Sequence, residues 1–296
     1  MTTILQFHTR AGRTAPAGQP DFSAALPGGA GLGDTAGTRP RPRTAAMASL
    51  EAPWAPSPET AVSFLVNALY LPDRHRVLAW EGGYAAPWAR ETEARLALLG
   101  HGVETRGPAG DAPAGAALRG AGRFERAMFL AQAFGYLSDG ENLAWLRGMR
   151  AVLEPGGLLF FQVVDRDRAW GLSGRAWDGS GGRLRAVDFD PATGRLSVRV
   201  REARGGAAGT PESALGDSHL ALAQAVSAAS VRTFNLTEIR DWLERAGLRL
   251  ERAYGDWEAG SPGAARAGRL LVVARKPRGR PRTSKDMLTK HPRILA

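Results

Sequence analysis

Apolar positions along the 296-residue chain fall into short continuous runs that alternate with stretches of helical spacing. Val62, Leu65, Val66 and Leu69 recur at three- and four-residue intervals, which predicts one buried stripe of a helix. Ser57-Pro58-Glu59-Thr60 opens that helix, with Ser57 as N-cap and Pro58 in the first helical position, where a missing N–H costs little. Arg76–Trp80 then reads as an apolar strand, Glu81-Gly82-Gly83-Tyr84 as a loop, and Pro87 to Leu99 as a second helix stopped by Gly100. Gly102–Thr105 and Ala127–Ala131 are further strands, the second of buried type. Leu143, Leu146, Met149, Val152 and Leu153 mark an amphipathic helix over 139–153, and Pro155-Gly156-Gly157 is expected to break it. Leu158–Val164 is the most apolar strand of all. Continuous apolar strands separated by helices predict a parallel sheet covered on both faces.

The pattern changes after residue 183. Residues 183–190 and 195–202 alternate as two strands joined by Asp190-Pro191-Ala192-Thr193-Gly194, a hairpin-type turn. With a further strand in 219–234 they predict a small antiparallel insertion. A helix from Thr237 to Ala246, stopped by Gly247, and a strand pair, Leu248–Tyr254 and Leu270–Ala274, close the chain.

Charge alters this reading only at the ends. The chain carries 39 Lys+Arg against 29 Asp+Glu, a formal net charge of +10. Residues 1–46 hold five Arg and two Asp, and residues 275–296 hold eight basic residues and one Asp. The intervening 47–274 holds 26 basic and 26 acidic residues, so no body-wide footprint for nucleic acid exists. Cys is absent, which excludes disulfides, thiolate metal sites and a Cys nucleophile. The five His (His8, His75, His101, His219, His291) fall at no familiar metal-ligand spacing. No apolar run reaches the ~18 residues of a membrane helix, and the first residues lack the apolar core of a secretory signal. No membrane partner and a cytoplasmic location are therefore expected.

Residues 1–46, rich in Gly, Pro, Ala and Thr, cannot bury enough surface to offset ordering entropy and are expected to form a disordered extension. Met47, where the composition changes, is a second candidate start. The expected domain is 47–275, with 183–234 as its insertion, followed by a basic tail over 276–296.

The order strand, Gly loop, helix, strand, followed by a strand ending Phe134-Gly135-Tyr136-Leu137, resembles class I S-adenosylmethionine-dependent methyltransferases. So do Leu153-Glu154-Pro155-Gly156-Gly157-Leu158, Phe234–Arg240 through Ala246-Gly247-Leu248, and the closing Tyr254–Trp257 and Leu270–Lys276. The resemblance covers roughly 57–277. It implies an α/β, Rossmann-like doubly wound sheet, mostly parallel, with an antiparallel closing strand. It also implies S-adenosylmethionine as cofactor and methyl transfer to a small-molecule acceptor. The insertion would cover the crevice and set the acceptor. A catalytically inactive, binding or regulatory protein on the same fold is the alternative.

The family's first strand ends in an acidic residue followed by G-x-G-x-G, because side chains there would block the loop backbone from the cofactor. Aligned on Gly83, the acidic position is Ala79 and the outer glycines are Glu81 and Ala85, so one glycine of three is kept, with Gly82 beside it. The stretch reads equally as a degenerate cofactor loop or an ordinary strand–helix turn. Glu104 is the nearest candidate for the ribose-binding carboxylate at the end of the second strand, a role that suits two adjacent acceptor oxygens. Asp111 resembles the acidic residue that meets the adenine. Both are more ordinary as solvated loop carboxylates. Gln132 is a candidate cofactor contact or a cap. Phe134 and Tyr136 are candidates for the lip of the crevice, since ligands bind at the carboxyl ends of parallel strands; aromatic packing is the other reading.

His219 is a lone His in the insertion, more ordinary as an exposed residue than as a base. Trp170, Trp177 and Trp257 are pocket or packing residues. Lys276–Arg282, Lys-Pro-Arg-Gly-Arg-Pro-Arg, matches the AT-hook pattern, in which an extended Arg-Gly-Arg-Pro centre lies in a narrow minor groove. It allows weak nucleic-acid contact through the tail, and reads otherwise as a solvated basic segment.

Overall fold

The structure, a computed structural model, describes residues 46–47, 54–81, 86–107, 118, 120–178, 183–202, 224–262 and 268–278. In chain order the elements are α1 (Pro58–Ala68), β1 (Arg76–Trp80), α2 (Pro87–Leu98), β2 (Gly102–Arg106), β3 (Phe124–Phe134), α3 (Asp139–Val152) and β4 (Leu153–Asp165). Then follow α4 (Arg166–Leu172), β5 (Gly174–Asp178), β6 (Arg183–Asp190), β7 (Arg195–Glu202), β8 (Gln224–Phe234), α5 (Leu236–Arg245), β9 (Arg249–Tyr254) and β10 (Arg269–Arg275).

The central sheet runs β2-β1-β3-β4-β10-β9. The first four strands pair in parallel. β10 is inserted antiparallel between β4 and β9, so β9 again points the way of β4. This is the doubly wound, mostly parallel sheet with an antiparallel closing strand that the resemblance implies, and its parallel part is the one that the alternation predicts.

Side chains alternate between two cores. Val77, Ala79, Met128, Leu158, Phe160, Leu271 and Val273 pack with Phe64 and Leu65 of α1 and Ala89 and Leu96 of α2. Leu78, Trp80, Ala127, Phe129, Leu159, Phe161 and Val272 face the opposite core, under Trp145 and Met149 of α3 and Trp242 and Leu243 of α5. The period-2 alternation of strands buried on both faces thus fills both layers.

Helix starts follow local chemistry. Ser57 Oγ accepts from Thr60 N–H at 3.2 Å and Pro58 stands just inside α1. Ser138 and Glu141 form a capping box on α3, and Asn235 and Glu238 form one on α5. The α5 cap lies two residues before the Thr237 start read from the sequence.

Two expectations need correction, and one helix carries no local signal. Pro155-Gly156-Gly157 does not separate helix from strand: β4 begins at Leu153, opposite Phe124, directly after α3. The prolyl nitrogen is tolerated there because it lies in the first residues of the strand. α4 was not legible, because Asp165 ends the strand and caps the helix in one step, accepting from Asp167 N–H at 3.1 Å. Ala46, assigned to the disordered extension, is buried, and its N–H donates to Ser227 Oγ at 3.0 Å; residues 1–45 lie outside the described residues.

The hairpin β6–β7 has the predicted bounds, and it pairs antiparallel with β5 on one side and β8 on the other. This second sheet joins the first through β4 and β8, which pair in parallel over only Val164–Thr233 and Asp165–Phe234. Arg232 strengthens the seam: its N–H donates to Gly135 O at 2.8 Å and its Nη1 lies 3.1 Å from Asp139 Oδ2.

Asp165 sits at this seam, buried at the end of β4. Burial raises its pKa above the ordinary 3.8, outweighing the lowering by the Asp167 N–H. A raised carboxyl pKa means the folded state holds the proton more tightly. Its contribution to stability is therefore full at low pH and is lost as pH rises from about 3.8 through the folded value. Asp165→Asn keeps the cap and removes the titration. The urea midpoint at pH 7 relative to that at pH 4 is expected to be higher in Asp165→Asn than in the parent; an unchanged ratio would assign the slope elsewhere.

Candidate functional site

β1 leads outward to β2, while β3 lies on the other side of β1. The winding reverses between β1 and β3, so their carboxyl ends border a crevice, the place where open α/β sheets bind ligands. Trp80 ends β1 with its indole buried. Glu81 follows: its N–H donates to Arg106 O at 2.8 Å and its carboxylate lies 3.5 Å from Arg90 Nε. Across the crevice, the β3–β4 register jumps from Met128 opposite Phe160 to Ala133 opposite Gln162. Phe129 to Gln132 therefore stand against the single residue Phe161. A bulge of this size re-aims the backbone at the crevice wall.

The sequence-derived candidates are placed as follows. Glu81 is at the mouth of β1. Gly82 and Gly83 lie outside the described residues, as do Asp111 and His219. Gln132 lies in the β3 bulge. Glu104 lies in the middle of β2, opposite Leu78. Its carboxylate accepts from Arg106 Nε at 2.5 Å and lies 4.0 Å from Arg76 Nη2. Strand register places Arg106 and Gly107, not Glu104, at the crevice end.

Neither Phe134 nor Tyr136 is brought to a lip. Phe134 is 2% exposed and packs against Trp145, Phe161, Phe234 and Trp242. Tyr136 is buried in the insertion's core with Val164 and Ala169. Trp257 packs edge-on against Phe64 and Trp88. Trp170 is 63% exposed, with Phe189 edge-on to it.

Three residues of this end escaped the sequence reading. A Cβ on Gly107 would stand 2.8 Å from Glu81 O, so only glycine lets β2 leave the sheet this close to the β1 mouth. Its signal was a glycine directly after the second strand. Gln162 is 3% exposed, and its Nε2 donates to Leu130 O at 2.8 Å, tying β4 to the bulge. Arg269, 2% exposed, begins β10 beside the β4 terminus, with its guanidinium 4.2 Å from the Trp54 ring centre. Neither carries a sequence signal, because both depend on long-range pairing.

Among the described residues no cluster of His, Cys, Asp and Glu could hold a metal, and no helix is long and apolar enough to cross a membrane. Lys276 opens the basic tail, with its Nζ donating to Leu153 O at 2.5 Å, and Arg278 is the last described residue. The AT-hook centre beyond Arg278 lies outside the described residues.

No protein-family model and no curated protein matches the sequence. Solved structures do. The chain is similar to the CcbJ methyltransferase of Streptomyces caelestis, at 19% identity and a TM-score of 0.53, over 80% of this chain and 97% of that one. It is also similar to an S-adenosylmethionine-dependent methyltransferase of Clostridium acetobutylicum, at 10% identity and a TM-score of 0.52, over 75% of this chain and 93% of that one. The strand order, the position of the crevice and these likenesses agree: the chain has the Rossmann-like fold of the S-adenosylmethionine-dependent methyltransferases.

Proposed function

We propose that the chain is an S-adenosylmethionine-dependent methyltransferase acting on a small-molecule acceptor. The observation that carries this reading is the crevice at the β1–β3 reversal, walled by the β3 bulge on one side and by Glu81 and Gly107 on the other. The Gly107–Glu81 approach is the kind of side-chain-free cradle that a cofactor needs. Glu81, Gly82, Gly83, Asp111 and Gln132 are the residues we assign to holding the cofactor. Glu104 leaves that set, because its carboxylate is engaged by Arg106 in mid-strand. When bound, the cofactor supplies an electrophilic methyl on a sulfonium, itself a good leaving group. The chain's task is then positioning and water exclusion, and no dedicated base is required. A neighbouring cavity of about 340 Å³ suits a small acceptor.

Titration of the full chain with S-adenosylmethionine by calorimetry is expected to give saturable heat. No heat and no thermal shift at millimolar ligand would overturn the reading in favour of a binding protein without cofactor. Gly107→Val is expected to weaken binding about tenfold or more by displacing the Glu81 carbonyl. Gly140→Ala, where a Cβ meets nothing within 4 Å, should leave affinity unchanged.

A further inference from the structure

A cavity of about 340 Å³ lies at the carboxyl end of β4, between the N-terminal turn of α1 and the loop after β9. Trp54, Gln162, Asp256, Trp257, Glu258 and Arg269 line it. We propose that this cavity is the methyl-acceptor pocket and that it selects an aromatic or other flat molecule bearing an amine, which Gln162 Oε1 accepts in a hydrogen bond. The proposal rests on the methyltransferase reading above.

Gln162 carries the argument. Its side chain is buried at 3% exposure, yet it borders the cavity. The carbonyl of Leu130 can only accept, so the bond at 2.8 Å fixes Nε2 as the end that faces the β3 bulge. Among the described residues Oε1 has no hydrogen-bond partner. The amide oxygen, held in one orientation on a residue that lines the cavity, is an acceptor open to a donor bound there. The Gln162 side chain spans from the bulge at the crevice to the cavity, so a donor held by Oε1 lies beside the cofactor crevice.

The charge that the cavity presents is negative. Asp256 and Glu258 stand on the loop after β9, where Asp256 Oδ1 accepts from Glu258 N–H at 3.1 Å and Gly260 N–H at 2.7 Å. That turn projects Trp257 into the wall. Glu258 and Trp257 also border an adjoining groove of about 500 Å³ that contains Glu59; Arg95 lies 2.6 Å from the Glu59 carboxylate. The cation of the cavity, Arg269, is buried with the Trp54 indole across its guanidinium. Two accessible carboxylates and two indoles favour an organic cation over an anion. For transfer, the bound ammonium loses one proton to solvent. The lone pair of the neutral amine then forms the N–C bond as the S–C bond breaks; the released pair stays on sulfur, and the positive charge passes from sulfur to the methylated nitrogen.

The test uses the full chain, with indole fluorescence excited beyond the absorption of the probes. Benzylamine is expected to give a saturable change, and phenylacetate, of similar size and opposite charge, is not. Gln162→Leu is expected to weaken benzylamine about 10- to 100-fold, the loss of one hydrogen bond to a charged group. The exposed Glu258→Gln, which leaves the packing untouched, should reduce the preference for benzylamine over phenylacetate. No saturation with benzylamine, equal binding of phenylacetate, or unchanged affinity in both variants would overturn the proposal. Calorimetry with S-adenosylhomocysteine on the same samples separates the two readings. Lost benzylamine binding with the cofactor heat retained refutes the pocket; absent cofactor heat with benzylamine binding retained refutes the methyltransferase reading on which it rests.

Discussion

Phe134→Ala is expected to destabilise the folded chain by about 3–5 kcal/mol, the cost of emptying a fully packed aromatic site. The ring lies 5.4 Å from Trp145, 5.3 Å from Phe161, 5.5 Å from Phe234 and 6.3 Å from Trp242, centre to centre. Those partners come from α3, β4, β8 and α5, so truncation opens a void where four elements meet, and none of them can collapse into it without moving the others. Domains of this size have about 5–15 kcal/mol in total, so the loss is a large share. Urea unfolding followed by far-ultraviolet circular dichroism measures it. A loss below about 1 kcal/mol would show that the ring is not a core residue and would restore it as a candidate for the crevice lip.

The neighbouring Gly135→Ala is expected to be almost as damaging by a different route. Gly135 has φ +122, a conformation that a side chain strongly disfavours, and a Cβ there would stand 2.6 Å from Arg232 O. Backbone strain and overpacking contribute about 1–3 kcal/mol each. The clash also pushes apart the strand end and β8, where Arg232 N–H donates to Gly135 O and Arg195 Nη2 donates to the same oxygen at 3.2 Å. Hydrogen exchange is expected to quicken in β6, β7 and β8 more than in β1 and β10. Uniform acceleration across both sheets would instead mean that the two unfold as one unit.

Local signals carried much of the fold into the sequence. Ser57-Pro58 marks α1 because capping is decided by adjacent residues, and Asp190–Gly194 marks the hairpin because its turn chemistry is equally local. Strand faces followed from runs such as Leu158–Val164. What stayed hidden depends on pairing at a distance. The β3 bulge requires knowing that Ala133 meets Gln162. The Leu153 start of β4 requires knowing that Phe124 and Lys276 approach it. The site suffered most from the same limit. Glu104 was the nearest carboxylate to the end of the second strand, and only register shows it opposite Leu78, two residues short of the crevice end. Phe134, at a strand end, read as lip or as packing, and its four ring partners, which decide for packing, lie elsewhere in the chain.

The two-pair seam between β4 and β8 has a consequence for how such a protein diversifies. The chain leaves the central sheet at Asp165 and returns at Phe234, and these two residues are paired with each other. Everything between them therefore departs and arrives through points about one strand spacing apart, the geometry in which a module can be lengthened, exchanged or removed without shifting the scaffold that carries it. The crevice at β1 and β3 lies outside that interval. Substitutions and length changes within the excursion are therefore free to accumulate while β1 to β4 keep their register.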